Sequence, residues 1–350
     1  MSQKIRVLIV DDSALVRKLL RDVISADEDM VVVGTASNGV EAIRCIAELE
    51  PDVVTMDIHM PEMDGITALE YIMRKNPLPV VMLSALAQKG AEATLRALEL
   101  GAVDFITKPS HYPSAIREVR DEVILKLKTA AQASKSIIAG DVVKRRARKK
   151  PTLGGRVRVT QKLVIIGASA GGPRALAEIM PMFPARTPAP ILIVQHMPSV
   201  FTRSFAERLN IICEMQVKEA EEDEELQPGW IFVAPGGRDI IVSMEYGEPG
   251  RVELMKSQNK SGATPRIDIT MITAAEAYGP KAIGVIMTGM GSDGAHGIEI
   301  IKKNKGETVA QDEESCLVFG MPKVAIERGF VDRVVPLDKI PETVLQLLQK

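Results

Sequence analysis

Short β-branched runs alternate with longer segments in which apolar residues recur every three or four positions, from residue 5 to about residue 125. This alternation is typical of a parallel sheet with helices on both faces. The runs predict five strands, at residues 5–10, 31–36, 53–56, 80–83 and 103–106. The other segments predict helices at 15–25, 39–49, 65–74, 92–100 and about 113–129. The pattern therefore predicts a small doubly wound α/β domain at residues 1–125.

The alternation resumes in a second domain, which we place at residues 161–350. Strands are predicted at 163–166, 191–194, 231–233, 282–287, 308–310 and 331–334, and helices at 174–180, 267–277, 297–302 and 341–348. The strands are again short and apolar, as expected for a second doubly wound α/β fold. An acidic run at 219–225 holds six carboxylates in seven residues and is predicted to be a solvated loop.

A basic segment separates the two domains. Residues 141–160 contain eight lysines and arginines and one acid, Asp141, so the segment carries a charge of +7. Pro151 and the pair Gly154-Gly155 interrupt it, and this composition is typical of a mobile linker. We therefore expect a basic linker over residues 126–160.

Composition narrows the class of protein. The 350 residues are 46% hydrophobic and 26% charged, as in ordinary globular proteins, and the net charge is −2. Three widely spaced cysteines exclude a disulfide framework and suit a reducing cytoplasm. The apolar runs are far shorter than the roughly 18 residues of a membrane span, and the N-terminus runs directly into Asp11 and Asp12 without the apolar stretch of a signal peptide. We therefore expect a cytoplasmic protein that is not membrane-inserted.

Polar residues follow the strands of the first domain at the points where the strands end. Strand one ends in Asp11 and Asp12, strand three in Asp57, strand four in Ser84 and strand five in Lys108. Because ligand sites of open parallel sheets lie at the carboxyl ends of the strands, we expect these side chains to converge. Three converging carboxylates favour a dication such as Mg²⁺, and Asp57 would then accept a phosphoryl group. Taken singly, each residue has an ordinary alternative role as a helix cap, a turn residue or a solvated lysine.

At these residues the chain resembles the receiver domain of two-component response regulators, over residues 4–125. The matching segments are Val10-Asp11-Asp12, Asp57-Ile58-His59-Met60-Pro61, Met63-Asp64-Gly65, Ser84-Ala85 and Lys108-Pro109. The resemblance implies a flavodoxin-like fold and phosphorylation of Asp57 by a histidine kinase. It also implies a set of phosphoryl-binding and metal-binding groups: Ser84 and Lys108 at the phosphoryl group, Phe105 as the switch aromatic residue, and Mg²⁺ on Asp11, Asp12, Asp57 and the His59 backbone carbonyl.

The second domain carries a candidate nucleophile directly after its first strand. The segment Gly167-Ala168-Ser169-Ala170-Gly171-Gly172 lies between a predicted strand and a predicted helix. This is the setting of a G-x-S-x-G elbow, whose glycines allow a tight turn that lifts the serine hydroxyl clear of the sheet. The segment matches neither the G-x-G-x-x-G nor the G-K-[ST] phosphate-binding pattern. The alternative interpretation is that Ser169 only caps the following helix.

A nucleophilic serine requires a base, and the chain has four histidines. His59 and His111 belong to the first domain. His196 follows an apolar strand and is therefore the favoured base, with a structural histidine as its alternative role. His296 lies in a glycine-rich turn and is the second candidate.

A carboxylate must orient the base and stabilise its protonated form. Asp293 follows the buried strand at 282–287 and is the candidate, with helix capping as the alternative role. Gly289 and Gly291 beside it allow backbone N–H groups to approach a reacting carbonyl. The order Ser169, His196, Asp293 differs from the order in α/β-hydrolases, which argues against that family.

At these three motifs the chain resembles the catalytic domain of chemotaxis protein-glutamate methylesterases, the CheB family, from about residue 162 to the C-terminus. The matching segments are residues 167–172, Gln195-His196-Met197-Pro198, Ala234-Pro235-Gly236-Gly237, residues 287–294 and Phe319-Gly320-Met321-Pro322. The resemblance implies that Ser169 is the nucleophile, His196 the general base and acid, and Asp293 its orienting group. It also implies that the Met290 backbone contributes to the oxyanion hole.

Two positions depart from the pattern of that family. Ala170 stands where threonine is frequent, and Asp239 stands where histidine is common. Neither change removes a member of the triad, but both bear on how substrate is positioned.

Together the two resemblances imply a phosphorylation-activated enzyme of chemotaxis adaptation. It would hydrolyse glutamate methyl esters on methyl-accepting chemoreceptors and deamidate receptor glutamines, with a chemotaxis histidine kinase as phosphodonor. Mg²⁺ would serve the receiver domain, and no cofactor would be needed for ester hydrolysis itself.

Two alternative functions remain open. A transcriptional response regulator would use the basic segment on DNA, because lysines and arginines release counterions from phosphates. No helix-turn-helix pattern follows the receiver, however, and residues 141–160 contain no aromatic reader, so no nucleic-acid partner is expected. A phosphorylation-gated adaptor with a degenerate esterase domain is the second alternative, and the presence of all three triad candidates argues against it.

Overall fold

The computed structural model describes residues 4–85, 88–108, 116–133, 138, 161–245, 248–257 and 264–350. The chain divides into two compact units, Met1–Arg146 and Ala147–Lys350. The basic segment at 141–160 lies outside the described residues, as do Pro109 and His111. Within the described ranges, no helix combines the length and the hydropathy that crossing a membrane requires.

The first unit alternates strands and helices as the sequence predicts. Its strands are β1 (Ile5–Val10), β2 (Met30–Ala36), β3 (Val53–Asp57), β4 (Val80–Ala85) and β5 (Asp104–Lys108). Its helices are α1 (Ala14–Ser25), α2 (Gly39–Leu49), α3 (Gly65–Lys75), α4 (Gln88–Leu100) and α5 (Ile116–Ala131). Helix α5 continues past the domain boundary drawn at residue 125, because its apolar spacing persists: Val123, Leu127 and Ala130 are all buried. The first residues of the expected linker, 126–131, are therefore helical.

The five strands form one parallel sheet in the order β2-β1-β3-β4-β5. The strand order reverses between β1 and β3, so the carboxyl ends of these two strands border the crevice where such sheets bind ligands. Side-chain caps fix the starts of three helices: Ser13 accepts the Val16 N–H, Asn38 accepts the Glu41 N–H and Asp64 accepts the Thr67 N–H. The predicted flavodoxin-like architecture is confirmed.

The second unit is a larger α/β assembly. Its strands are β6 (Leu163–Ala168), β7 (Ile191–Gln195), β8 (Gln216–Glu219), β9 (Glu224–Glu225), β10 (Trp230–Val233), β11 (Arg238–Ser243), β12 (Arg251–Lys256), β13 (Ala282–Ile286), β14 (Glu307–Gln311) and β15 (Arg333–Val335). Its helices are α6 (Gly172–Ile179), α7 (Ser199–Ile212), α8 (Ile267–Tyr278), α9 (Ala295–Lys303), α10 (Met321–Glu327) and α11 (Ile340–Gln349). Short 3-10 turns lie at Met180–Met182, Gly279–Lys281 and Leu337–Lys339.

A seven-stranded parallel sheet in the order β15-β14-β13-β6-β7-β10-β8 forms the centre of this unit. The chain starts at β6 in the middle, proceeds outward on one side and then returns to β13 on the other side. This reversal puts the ends of β6, β7 and β13 side by side, at the edge where ligand sites form in open parallel sheets. The predicted doubly wound fold is confirmed.

A small antiparallel sheet, in the order β11-β12-β9, accompanies the parallel one and was not predicted. Its presence corrects the interpretation of the acidic run at 219–225 as a solvated loop. Glu219 ends β8, and Glu224–Glu225 form β9, which pairs with β12. The charged side chains hid these strands because neither has an uninterrupted apolar face.

Candidate functional site

The predicted acids of the first unit meet at the carboxyl edge of its sheet. Asp11, Asp12 and Asp57 each have a carboxylate oxygen within 4.8 Å of the others. Lys108, at the end of β5, places Nζ 2.7 Å from Asp11 Oδ2 and 2.8 Å from Asp57 Oδ2. Asp11 and Asp57 are buried, whereas Asp12 is exposed and leaves the cluster open to solvent on one side. Strand ends thus bring together four of the predicted residues.

The electrostatics of this cluster favour a cation. Burial raises the pKa of Asp11 despite the opposing hydrogen bond and charge of Lys108, and the charge of Asp57 raises it further. Burial lowers the pKa of Lys108, but the two carboxylates outweigh it and hold the pKa above its ordinary value. Three carboxylates with one ammonium leave excess negative charge on an all-oxygen donor set, which fits a hard dication such as Mg²⁺.

The remaining residues predicted for this site lie on neighbouring elements. Ser84 is buried on β4, with its Oγ 2.7 Å from Thr94 Oγ1 on α4. Phe105 is buried on β5, and Lys126 places Nζ 4.9 Å from the centre of its ring. His59, two residues beyond β3, is exposed. Ser84 is therefore a strand residue rather than a helix cap.

In the second unit, a continuous hydrogen-bonded array joins the three predicted residues. Ser169 Oγ lies 3.1 Å from His196 Nδ1, and His196 Nε2 lies 2.7 Å from Asp293 Oδ2. The three residues follow β6, β7 and β13, and β6 lies between the other two strands. The sheet order therefore explains how residues 97 positions apart in sequence, His196 and Asp293, come into contact.

The structure bears on the capping role of Ser169 and on the second candidate base, His296. Gly171, with φ of 74°, occupies the N-cap of α6, so Ser169 is not its cap. His296 lies exposed on α9 and faces Glu299, with Nδ1 3.4 Å from Glu299 Oε2. The choice of His196 over His296 is therefore supported by the geometry.

Asp293 is held by backbone donors from the start of another helix. Its Oδ2 accepts the Ile267 N–H at 2.8 Å. Its Oδ1 accepts the Asp268 N–H at 2.9 Å and the N–H of the next residue, Gly294, at 3.1 Å. Burial raises the pKa of Asp293, but the hydrogen bond and charge of His196, together with the N–H groups of α8, outweigh burial and hold it below its ordinary value. The carboxylate is thus kept ionised at the positive end of the α8 dipole.

The contacts of His196 fix the tautomer of its imidazole. Because the Asp293 carboxylate only accepts hydrogen bonds, Nε2 carries the imidazole proton. Nδ1 is then the acceptor and faces the Ser169 hydroxyl. This is the reverse of the chymotrypsin-type arrangement, in which Nε2 faces the serine.

Three residues near the triad were missed by sequence reasoning. Asp268, on the first turn of α8, accepts the Gly297 N–H at 2.7 Å, and burial together with the charge of Asp293 raises its pKa above the ordinary value. Arg266 donates to the Asp239 carboxylate, and Gln195 donates to the Ser169 backbone carbonyl. An acid in a first helical turn was the one available signal, and it is equally typical of ordinary capping.

Asp239, which departs from the family pattern, forms a fork with Arg266. Arg266 directs Nε at 3.1 Å and Nη2 at 2.9 Å to Asp239 Oδ2, and its backbone N–H donates to Oδ1 at 2.9 Å. Asp239 is fully buried, whereas about a third of the Arg266 side chain, 34%, is exposed. Because Arg266 immediately precedes Ile267, the fork anchors the helix start that holds Asp293.

The glycine-rich turn after β13 requires one correction. Gly289 donates its N–H to the Val318 carbonyl at 3.0 Å, so this N–H is not available to an oxyanion. Gly289 instead permits close approach, because a Cβ there would lie 2.7 Å from Ser169 Cβ. Gly291 has a φ of 85°, which glycine adopts without strain. Ala170, the other departure from the family pattern, accepts the Thr288 hydroxyl through its carbonyl at 3.0 Å.

Known proteins resemble this chain in both of its units. A family model described as CheB methylesterase matches residues 164–344, and one described as response regulator receiver domain matches residues 7–120. The protein-glutamate methylesterase/protein-glutamine glutaminase of Pyrococcus abyssi is 49% identical over 353 residues, covering 99% of this chain and 94% of that protein. The protein of the same name from Thermotoga maritima is 45% identical over 346 residues, and the alignment covers 98% of this chain and 98% of that protein.

A solved structure matches the second unit. The crystal structure of the Thermotoga maritima CheB methylesterase catalytic domain shares 46% sequence identity and a TM-score of 0.52, covering 54% of this chain and all, 100%, of that chain. The match extends over the unit that contains the hydrogen-bonded serine, histidine and aspartate. The chain therefore belongs to the CheB family and is a protein-glutamate methylesterase/protein-glutamine glutaminase controlled by a response regulator receiver domain.

Proposed function

We propose that Ser169, His196 and Asp293 form a catalytic triad that hydrolyses glutamate methyl esters on methyl-accepting chemoreceptors and deamidates receptor glutamines. The observation that carries the proposal is the unbroken chain of contacts from Ser169 Oγ through both imidazole nitrogens to Asp293. A degenerate adaptor domain would have no need to keep all three groups in hydrogen-bond reach. The substrate class follows the names of the relatives, which act on glutamate esters and glutamines.

The chemistry is acyl transfer through a covalent intermediate. His196 Nδ1 takes the Ser169 hydroxyl proton as Oγ attacks the ester carbonyl, and the same proton then passes to the departing methoxide, which leaves as methanol. Asp293 stabilises the imidazolium that forms between these two transfers. Water, deprotonated in turn by Nδ1, hydrolyses the acyl-enzyme and regenerates the serine. With a glutamine substrate the leaving group is ammonia.

Charge develops on the carbonyl oxygen of the substrate during both steps. We assign the Met290 backbone N–H, in the turn beside Ser169, to the oxyanion hole, together with the backbone of the elbow at residues 167–172. A single donor of this kind contributes on the order of 10²- to 10³-fold in rate in other enzymes.

The receiver unit controls the reaction through Asp57. We assign Asp57 as the residue that accepts a phosphoryl group from a chemotaxis histidine kinase. Lys108 and Ser84 would contact the phosphoryl oxygens, and Phe105 would be the aromatic residue that switches on phosphorylation. Asp11, Asp12, Asp57 and the His59 carbonyl would hold Mg²⁺, which neutralises charge on the phosphoryl oxygens when bound. The cluster of three carboxylates around one lysine supports this assignment.

The test is methanol release from methylated receptor membranes. Ser169→Ala is expected to abolish release while phosphorylation of Asp57 by a small phosphodonor stays at the parent level. Ser204→Ala is the matched control, because it removes a hydroxyl from helix α7 outside the triad. Methanol release by Ser169→Ala at the parent rate would contradict the proposal.

A further inference from the structure

A buried amide connects the backbone of the nucleophile to that of the base. Gln195, the last residue of β7, has only 2% of its surface exposed. Its Nε2 donates one hydrogen bond to the Ser169 carbonyl at 2.9 Å and a second to the His196 carbonyl at 3.1 Å. Because both partners are acceptors, the NH₂ group rather than the carbonyl of the amide must point toward them. One side chain therefore uses both of its N–H bonds on the two reacting residues.

The two hydrogen bonds from Gln195, which we call the brace, connect Ser169 and His196 in addition to the backbone hydrogen bonds around them. The His196 N–H donates to the Ala168 carbonyl at 3.1 Å, which ties the base to the residue before the nucleophile. The Ser169 N–H donates to the Thr288 carbonyl at 3.0 Å, on the opposite side. Of the bonds described around these two residues, those from Gln195 join the serine and the histidine through a single rigid group. The brace therefore restricts the separation of Ser169 Oγ from His196 Nδ1.

The other end of the amide shows what this arrangement costs. Gln195 Oε1 is buried and makes no hydrogen bond among the described residues. A buried acceptor without a partner is destabilising. Space for Oε1 exists only because residue 172 is glycine, since a Cβ there would lie 2.0 Å from it. The two hydrogen bonds from Nε2 are therefore made at the cost of an Oε1 left unpaired within the described part of the chain.

We propose that Gln195 is a positioning residue that sets the distance and angle between the nucleophile and its base. This inference rests on the proposed function, because it concerns the same acyl transfer. Gln195 donates to backbone carbonyls rather than to Ser169 Oγ or the His196 ring, so it acts through the backbone of these two residues. Removing it should slow the chemical step and leave substrate binding intact, because a misplacement of about 1 Å between reacting groups costs on the order of 10²-fold in rate.

The first experiment replaces Gln195 with methionine, which keeps the length but has no donor. Gln195→Met in the full-length chain is expected to lower kcat for methanol release by about 10²-fold with KM unchanged. Thr308→Val is the matched control. Thr308 lies on β14, away from the triad, and the substitution removes the hydrogen bonds of its hydroxyl with the Phe330 carbonyl and the Asp332 carboxylate. This variant should retain the parent kcat. A parent-like kcat in Gln195→Met, or a raised KM with kcat unchanged, would overturn the inference.

The second experiment uses a variant that restores the donor conditionally. Gln195→Glu preserves shape, and its protonated carboxyl group donates one hydrogen bond, whereas its ionised form repels the two carbonyl oxygens. Its kcat is therefore expected to fall as the pH rises, along an alkaline limb that the parent does not show. A profile parallel to that of the parent would overturn the inference even if the methionine variant does not fold.

Ser169→Ala separates this inference from the proposed function. If Ser169→Ala releases methanol like the parent, the triad itself is wrong. If Ser169→Ala is inactive while both Gln195 variants match the parent in kcat and pH profile, only the role of Gln195 is wrong.

Discussion

The imidazole of His196 is held through both of its nitrogens, and each contact has a separate consequence. Asp293 contacts Nε2 and fixes the tautomer, and in the proposed mechanism it stabilises the charge that His196 gains when it takes the serine proton. Asp293 in turn accepts three backbone N–H bonds, from Ile267, Asp268 and Gly294, which prevent it from rotating away. The orientation of the base therefore depends on backbone groups that no substitution of a side chain removes directly.

Asp293→Asn should disturb the imidazole of His196. The amide reverses the donor and acceptor pattern at Nε2 and favours the wrong imidazole tautomer, so kcat should fall on the order of 10⁴-fold, as for the corresponding change in serine proteases. Methanol release from receptor membranes measures the loss. Glu314→Gln, which neutralises an exposed carboxylate elsewhere in the same unit, should retain the parent rate.

The lowered pKa of Asp293 adds a prediction about stability. A carboxylate whose folded-state pKa lies below its unfolded value of about 3.9 stabilises the folded state above that pH, and the contribution is lost as the pH falls through the folded-state pKa. The difference in free energy of unfolding between the parent and Asp293→Asn should therefore shrink from pH 7 to pH 3. Fluorescence of Trp230, the single tryptophan, follows urea unfolding of this unit. An equal difference at both pH values would contradict the pKa shift.

At the scale of elements, the start of α8 connects the small antiparallel sheet to the triad. Arg266 is bound by Asp239 at the start of β11, and the next two backbone N–H groups hold Asp293. Two further bonds fasten the helix to the same strand: Thr270 Oγ1 donates to the Ile240 carbonyl, and Thr273 Oγ1 accepts the Val242 N–H. The departure at Asp239 from the family pattern is therefore accommodated by Arg266 in this chain.

This pair predicts an asymmetry between two variants. Arg266→Met leaves the fully buried Asp239 carboxylate without its guanidinium and should destabilise the unit by about 3–5 kcal/mol. Asp239→Asn should cost less, because the partly exposed Arg266 side chain can turn to water. Urea unfolding followed by Trp230 fluorescence gives both values. An equal loss in the two variants, or a larger one in Asp239→Asn, would contradict the burial argument.

Strands buried on both faces were predictable, and strands with a polar face were not. The inner strands of both parallel sheets read as apolar runs because helices cover them on each side. Strand β12 has only Val252 buried among charged neighbours, so its sequence resembles a loop. Helix α7 did carry a signal that was overlooked, since Phe201, Phe205 and Leu209 recur at intervals of four and are all buried.

The candidate site divides in the same way. Ser169, His196 and Asp293 were predictable because each follows a recognisable buried strand. The roles of Gln195 and Arg266 were not, because the contacts of Gln195 with Ser169 and of Arg266 with Asp239 join segments that are distant in sequence. A role that consists of holding another residue's backbone leaves no local pattern of its own.

At the scale of the whole molecule, two units with separate chemistry share one chain. The first gathers three carboxylates and a lysine at the edge of its sheet, and the second gathers the triad. Each site lies where the strand order of its own sheet reverses, so the same topological rule positions both. We propose that the first unit controls the second through a shift in the population of states that differ in activity.

Asp57→Asn tests this control. The variant has no carboxylate to phosphorylate, so a small phosphodonor should no longer raise its rate of methanol release, while its unstimulated rate should match that of the parent. Asp52→Asn is the matched control, because Asp52 lies at the opposite end of β3 and accepts the Arg6 N–H. Equal stimulation of Asp57→Asn and the parent would show that activation does not depend on this residue.

The central claim is that ester hydrolysis proceeds through an acyl group on Ser169, and hydroxylamine tests it most directly. A covalent intermediate can be intercepted by a second nucleophile after methanol has left. With methylated receptor as substrate, the account predicts that the parent forms glutamyl hydroxamate in proportion to added hydroxylamine, and that Ser169→Ala forms none above the uncatalysed background. Free carboxylate as the parent's only product at every hydroxylamine concentration, with methanol still released, would contradict the acyl-enzyme mechanism.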